Sequence, residues 1–207
     1  MPLQNRVDPW GDLHAVSARG TVTGNRGCLV DDDGELVRHH QSRAWITCRL
    51  EFKEWKHPLT RPHTWTPLFF LDEAVALAAG HRPCAYCRRG DFNAYRRAIA
   101  EAEGLARPLT AREIDQRLAS ERLAPGRGLS RSADRRTWRA ELASLPIGTV
   151  IADGDGSPML IDDDGLRKFG FEGWQPVIPF CNVDVEVITP PTSVSALRGG
   201  FDRAKDH

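Results

Sequence analysis

The most specific chemistry in this chain lies in a pair of cysteines separated by two residues, Cys84-Ala85-Tyr86-Cys87. Thiols at that spacing can face one metal ion from a single tight turn, and a tetrahedral Zn2+ accepts four such ligands. Cys28 and Cys48 lie upstream, so Cys28, Cys48, Cys84 and Cys87 are the expected zinc ligands. Cys28 is the least constrained of the four, and His57, His63 or Cys181 could take its place. A thioredoxin-like redox pair would open a helix directly after a strand. Here a helical run and Arg82-Pro83 precede the pair, which favours metal over redox chemistry.

Other groups carry weaker signals. Asp8, Asp12 and His14 would make an acid/base cluster if their segment folds back on itself, and His39-His40 could serve as ligands or proton carriers. Ser130, Ser132 and Ser195 lack the strand–turn–helix setting of an activated serine. The glycines between Arg19 and Cys28 match neither a P-loop nor a dinucleotide fingerprint, and Asp31-Asp32-Asp33 lacks calcium-loop spacing. Nine arginines against four acids occupy the stretch from Arg107 to Arg139. Arg82, Arg88 and Arg89 flank the cysteine pair, and Arg127, Arg131 and Arg135 lie on the basic stretch. These six are the expected contacts to the phosphates of DNA or RNA.

The elements that position these groups can be read from spacing. Phe69-Phe70 closes a strand, Asp72 caps a helix through Ala79, and Gly80 ends it in a left-handed conformation. Residues 44–52 alternate, with Trp45, Thr47, Arg49 and Glu51 on one face and Ile46, Cys48, Leu50 and Phe52 on the apolar other. That parity turns Cys48 inward. Phe92, Tyr95 and Ile99 recur at helical spacing up to a stop at Gly104, and Thr110 with Glu113 forms a capping box for a helix burying Ile114 and Leu118. The run 125–132 reads as a flexible basic loop. Beyond residue 140, apolar runs separated by Asp-Gly turns predict short strands, with Phe169, Phe171 and Trp174 filling a small β core. Val183–Ile188 alternates as another strand, and Thr192–Ser195 opens a closing helix. The fold class expected is α+β: a zinc-knuckle α/β domain over 1–104, a basic helical connector over 105–140 and a small β-rich module over 141–207.

Formal charge is zero, so nucleic-acid binding must rest on local charge distribution. No apolar run approaches the roughly 18 residues that cross a bilayer, and the first residues lack the apolar segment of a secretory signal. Five cysteines are an odd number for a disulfide framework. A cytoplasmic location with reduced thiols and no membrane partner is expected.

Phe69-Phe70, Glu73-Ala74, Ala79-Gly80 and Arg82-Pro83-Cys84 with Cys87 resemble the metal-binding domain of Ada-type DNA repair proteins over roughly residues 20–100. In that family the cysteine pair supplies half of a four-cysteine zinc site. Thr47-Cys48-Arg49 is similar to the family segment whose cysteine accepts a methyl group from DNA phosphotriesters, which makes Cys48 the candidate catalytic residue. The family places another cysteine four residues further on; Phe52 stands there in this chain.

The expected function is therefore that of a zinc-binding, nucleic-acid-associated protein in DNA repair or modification. Because Cys48 shares its face with Ile46, Leu50 and Phe52, the zinc site is expected to be closed and mainly structural. The alternatives are a hydrolase- or nuclease-like enzyme using groups away from zinc, such as Asp12, His14 or His39, and a zinc-stabilised interaction module.

Overall fold

The computed structural model describes residues 2–53, 63–179 and 183–201. A helix of six residues, α1 (Glu73–Ala78), lies at the centre, and all six are buried. Asp72 caps it by accepting from the Val75 N–H at 3.0 Å, and Gly80 follows at φ +86°, as the sequence predicts. A helix buried on every side has room only for small side chains at close contacts, and four of the seven residues from Glu73 to Ala79 are alanines.

Three apolar clusters meet on α1. Val75, Ala76 and Ala79 pack with Val7, Leu13, Leu68 and Phe70 of a first sheet and with Leu29 of the loop that follows one of its strands. Ala74 and Ala78 pack with Val150, Ala152, Leu160 and Ile188 of a second. Leu77 joins a helical cluster with Phe92, Tyr95, Ile99, Ile114, Leu118, Leu197 and Phe201.

The first sheet is assembled from short strands: β1 (Arg6–Val7), β2 (Leu13–His14), β3 (Val22–Asn25), β4 (Ile46–Cys48), β5 (Leu68–Phe70) and β6 (Arg82–Pro83). Their order is β2-β1-β5-β3-β4-β6, with β1–β5 and β4–β6 parallel and the remaining pairs antiparallel. β4 is shorter than the alternating run suggests, because pairing ends at Cys48. Gly24 allows close packing of β3 on β4, since a Cβ there would lie 2.2 Å from the Ile46 carbonyl oxygen.

Helices α2 (Arg89–Glu103) and α3 (Ala111–Arg122) follow, the first closed by Gly104 at φ +64° and the second opened by the Thr110–Glu113 capping box. The second sheet has order β10-β9-β8-β11-β7, built from β7 (Trp138–Glu141), β8 (Val150–Ala152), β9 (Pro158–Asp162), β10 (Gly165–Lys168) and β11 (Asp184–Val187). Two sheets with helices make an α+β protein. The closing helix α4 (Pro191–Arg198) packs on α2 and α3, and Tyr95 Oη lies 2.9 Å from Ser193 Oγ.

Packing thus runs across residues 104 and 140. Phe169 and Trp174 pack on the first-sheet cluster, Trp174 also borders the cluster of Val150, Ala152 and Leu160, and Trp174 Nε1 donates to Asp72 at 2.6 Å. These aromatics therefore join the two sheets rather than filling a core of the second alone. The 125–132 stretch is anchored too, because Ser130 Oγ and the Arg131 N–H both donate to the Asp12 carboxylate, at 2.5 and 2.6 Å.

Candidate metal centre

Strand register explains how cysteines far apart in sequence meet. In the parallel pair β4–β6, Ile46 faces Arg82 and Thr47 faces Pro83, so the next step sets Cys84 beside Cys48. The Cys84 N–H continues the ladder by donating to the Thr47 carbonyl at 2.9 Å. The turn after Cys84 returns Cys87 to the same place, and the sulfurs of Cys48, Cys84 and Cys87 lie within 4.8 Å of one another. Zn–S bonds of about 2.3 Å at tetrahedral angles place sulfurs about 3.8 Å apart, so a small contraction suffices to hold Zn2+. The Tyr86 N–H donates to Cys84 Sγ at 3.4 Å, the kind of backbone support that orients a metal-binding thiolate.

Three sulfurs this close share protons. Hydrogen bonds from Cys48 and Cys87 favour the Cys84 thiolate, lowering it to about 2, while the bond to Cys84, that to Cys87 and burial raise the Cys48 thiol. All three can be thiolates together only beside a cation, which is what the donor set fits.

Behind the sulfurs lies a buried ion network. Arg88 donates to Thr47 Oγ1 at 2.8 Å, to Glu73 and, at 2.8 Å, to Asp91. It thereby ties the residue after Cys87 to the residue before Cys48 and to α1.

The expectation of an enclosed Cys48 is corrected by the burial pattern. Parity places Cys48 with Ile46, Leu50 and Phe52, but the core face is the other one: Trp45 and Thr47 are buried, while Leu50 is 51% exposed. Cys48 is half-buried and opens on an apolar cleft of about 280 Å3 whose walls include Ile46, Leu50, Phe52, Trp65 and Tyr86. Trp65 and Tyr86 are wall residues that spacing does not announce: Tyr86 lies inside the cysteine pair, whereas Trp65 is far from every cysteine in sequence and is brought to the cleft by the fold.

Cys28 lies outside this three-sulfur group. Cys48 faces Thr23 across β3–β4, and Cys28 lies beyond the far end of β3, where its thiol donates to the Val30 carbonyl. His63 is exposed and pairs with Asp32 at 3.1 Å. His57 and Cys181 fall outside the described residues, among which Cys48, Cys84 and Cys87 are the group at this site.

Four of the six expected phosphate contacts are turned inward. Arg82 forms a two-pronged pair with Asp115, both bonds 2.8 Å, and Arg88 is committed to Glu73 and Asp91. Arg131 is buried on Asp134 and the Ala124 carbonyl. Arg135 donates to the carbonyls of Ala78, Ala79 and Ile188, placing its positive charge at the negative C-terminal end of α1. Arg89 and Arg127 are exposed.

Two further groupings emerge. His14 Nε2 lies 2.7 Å from Asp8, whose hydrogen bond raises the imidazole, and the Asp12 N–H donates to Asp8, while the Asp12 carboxylate is taken by Ser130 and Arg131. Trp45 carries two guanidinium groups, Arg26 and Arg122, each 3.9 Å from its ring centroid. Arg26 donates to His81 and Gly11 and bonds His39, while its Nη2 is buried without a partner. His39 is thus an interior residue rather than a free ligand.

Compared with known protein families, with curated proteins and with solved structures, the chain matches none. Among the described residues no helix is long and apolar enough to cross a membrane.

Proposed function

We propose that the chain is a zinc-thiolate protein acting on nucleic acid, with Cys48 as an alkyl acceptor at the head of the apolar cleft. One observation carries this reading: the three-sulfur group of Cys48, Cys84 and Cys87 lies in the wall of the cleft. Bound zinc would keep its cysteine ligands deprotonated at neutral pH, the form in which sulfur is a nucleophile. Cys48, Cys84 and Cys87 all border the cleft, and Cys48 is taken as the acceptor because its segment resembles the one whose cysteine accepts the methyl group in Ada-type domains. The Cys48 sulfur attacks an alkyl carbon in line, the S–C bond forms as the C–O bond breaks, and the electron pair stays on the departing phosphate oxygen. A neutral phosphotriester becomes an anionic diester. The apolar walls suit the uncharged ester and displace water from the sulfur.

The methylated phosphate substrate follows from the resemblance to Ada-type domains, and the cleft volume adds a limit on alkyl size. In this reading the first sheet with α1 and α2 is the zinc-knuckle unit, α3 and the stretch to residue 140 are its basic connector, and the second sheet is the small β module. Reduced thiols suit a cytoplasmic setting.

The test is to incubate zinc-loaded protein with DNA carrying methyl phosphotriesters and map the product by mass spectrometry. One methyl group per chain on Cys48, absent in Cys48→Ser, is expected. Full zinc occupancy with Cys48 unmodified would assign the metal a structural role and end the alkyl-transfer reading.

A further inference from the structure

We infer that the cleft between residues 40–43 and 119–136 is an anion site that takes a phosphate group carried on a larger ligand. The inference does not rest on the zinc centre; it starts from an imbalance of charge. The chain has a formal net charge of zero, yet Arg43, Arg122, Arg131 and Arg136 all line this one cleft. Arg131 is neutralised by Asp134. Among the described residues, Arg43, Arg122 and Arg136 have no carboxylate within ion-pair distance.

The hydrogen-bond inventory points the same way. A guanidinium carries five N–H donors. Arg122 uses one on the Gly80 carbonyl and one on the Arg43 carbonyl, and Arg136 uses one on the Ser120 carbonyl. Arg122 is buried in the wall, while the remaining donors of the exposed Arg43 and Arg136 stay available to a ligand that offers several oxygens. A phosphate does so from a single centre and can meet more than one guanidinium fork at once.

The wall behind the cleft makes an anion favourable rather than merely tolerable. Arg122 is buried, and it stacks on the same Trp45 ring as Arg26, which is itself fully buried with Nη2 unpartnered. Burial and then the nearby Arg135 lower the Arg122 guanidinium to about 9, the mark of a cation short of counter-charge. His40 lines the cleft as a neutral imidazole, since burial followed by the charges of Arg26, Arg122 and Arg131 lowers it to about 4. It therefore offers hydrogen bonding to a ligand without adding charge. The cleft holds about 360 Å3, within the roughly 300–1,000 Å3 of small-molecule sites and more than a bare phosphate fills.

The test is calorimetric titration of the full chain with inorganic phosphate, a nucleoside monophosphate and an oligonucleotide lacking terminal phosphates, all at one ionic strength set with chloride. Saturable one-to-one binding is expected for phosphate and for one of the other two. Preference for the monophosphate assigns a phosphomonoester, and preference for the oligonucleotide a phosphodiester backbone. The double variant Arg43→Glu/Arg136→Glu alters exposed side chains and should weaken binding at least tenfold with melting temperature retained. Ser120→Glu, which adds a carboxylate to the cleft and removes no arginine, should give a similar loss. Arg112→Glu, exposed on α3 outside the cleft, should bind as the parent does. Heats no larger than those from chloride, or equal losses in Arg112→Glu and the cleft variants, would overturn the site.

Discussion

Cys28 and Cys48 carry the same side chain, and the backbone around each decides what it can do. The Cys28 thiol is occupied by a neighbouring carbonyl, whereas Cys48 is one parallel-ladder step from Cys84. Purified protein should therefore hold about one zinc per chain, and Cys28→Ser should keep it. Cys84→Ser should lose the metal and melt at a lower temperature, because binding at such sites is coupled to folding. Metal analysis of the three proteins decides the matter, and zinc lost from Cys28→Ser alone would refute the assignment. The histidines give a second prediction at this scale. Burial above all lowers His39 to about 2 and His40 to about 4, and drives His81 well below its usual range. The unfolded chain takes up protons at these groups below about pH 6.5, and the folded chain resists them. Their contribution to stability is complete above that pH and declines as pH falls toward the folded values. His14 has the opposite sign: raised by Asp8, it stabilises fully below pH 6.5 and loses this as pH rises. Three groups outweigh one, so stability should fall between pH 7 and 5 by about 1.4 kcal/mol per pH unit for each net proton taken up on unfolding, and the melting temperature should fall with it. His39→Gln should flatten that slope, and a melting temperature that rises on acidification would contradict it.

Elements show which parts of the fold are legible in local spacing. The Asp72 cap, the turn at Gly80, the stop at Gly104 and the Thr110–Glu113 box all depend on groups within a few residues of one another, so the chain declares them. The cysteine pair is declared for the same reason. What an element faces is settled by partners far along the chain: Arg135 reaches Ala78 across 57 residues, and Trp174 reaches Asp72 across 102. Guanidiniums suited to phosphate thus serve as helix-end donors, and aromatics suited to a local core cross to another sheet. Parity on β4 placed Cys48 with the correct neighbours, but parity cannot tell which face meets the core. Asp72 illustrates both levels, since it caps α1 and also accepts from Trp174. Asp72→Ala should destabilise by roughly 2 kcal/mol, more than a cap alone, because the indole N–H is left unpaired. Asp72→Asn, which can keep the cap, should lose less; denaturant titration of both variants is the check.

At the scale of the whole molecule, three apolar clusters share one short helix. None of these three can dissolve without exposing part of α1. A fourth cluster, with Ile151, Met159 and Val187, is built on the strands of the second sheet that also carry Val150 and Leu160. Heat should therefore unfold the described portion in a single transition, with calorimetric and van't Hoff enthalpies equal. Two resolved calorimetric peaks would instead show that the sheets melt independently. The central position of α1 also has a consequence in time. The Ala79 amide donates to Val75, the Gly80 amide to Leu77 and the His81 amide to Ala76, and all three lie in buried backbone. No local fraying exposes them, so their hydrogens should exchange with heavy water only when the entire chain opens, at rates that track global stability as denaturant is added. Cys84 follows that backbone by three residues. The metal site is thus attached to the slowest-opening stretch, and zinc held there should leave on the clock of global unfolding rather than that of loop motion.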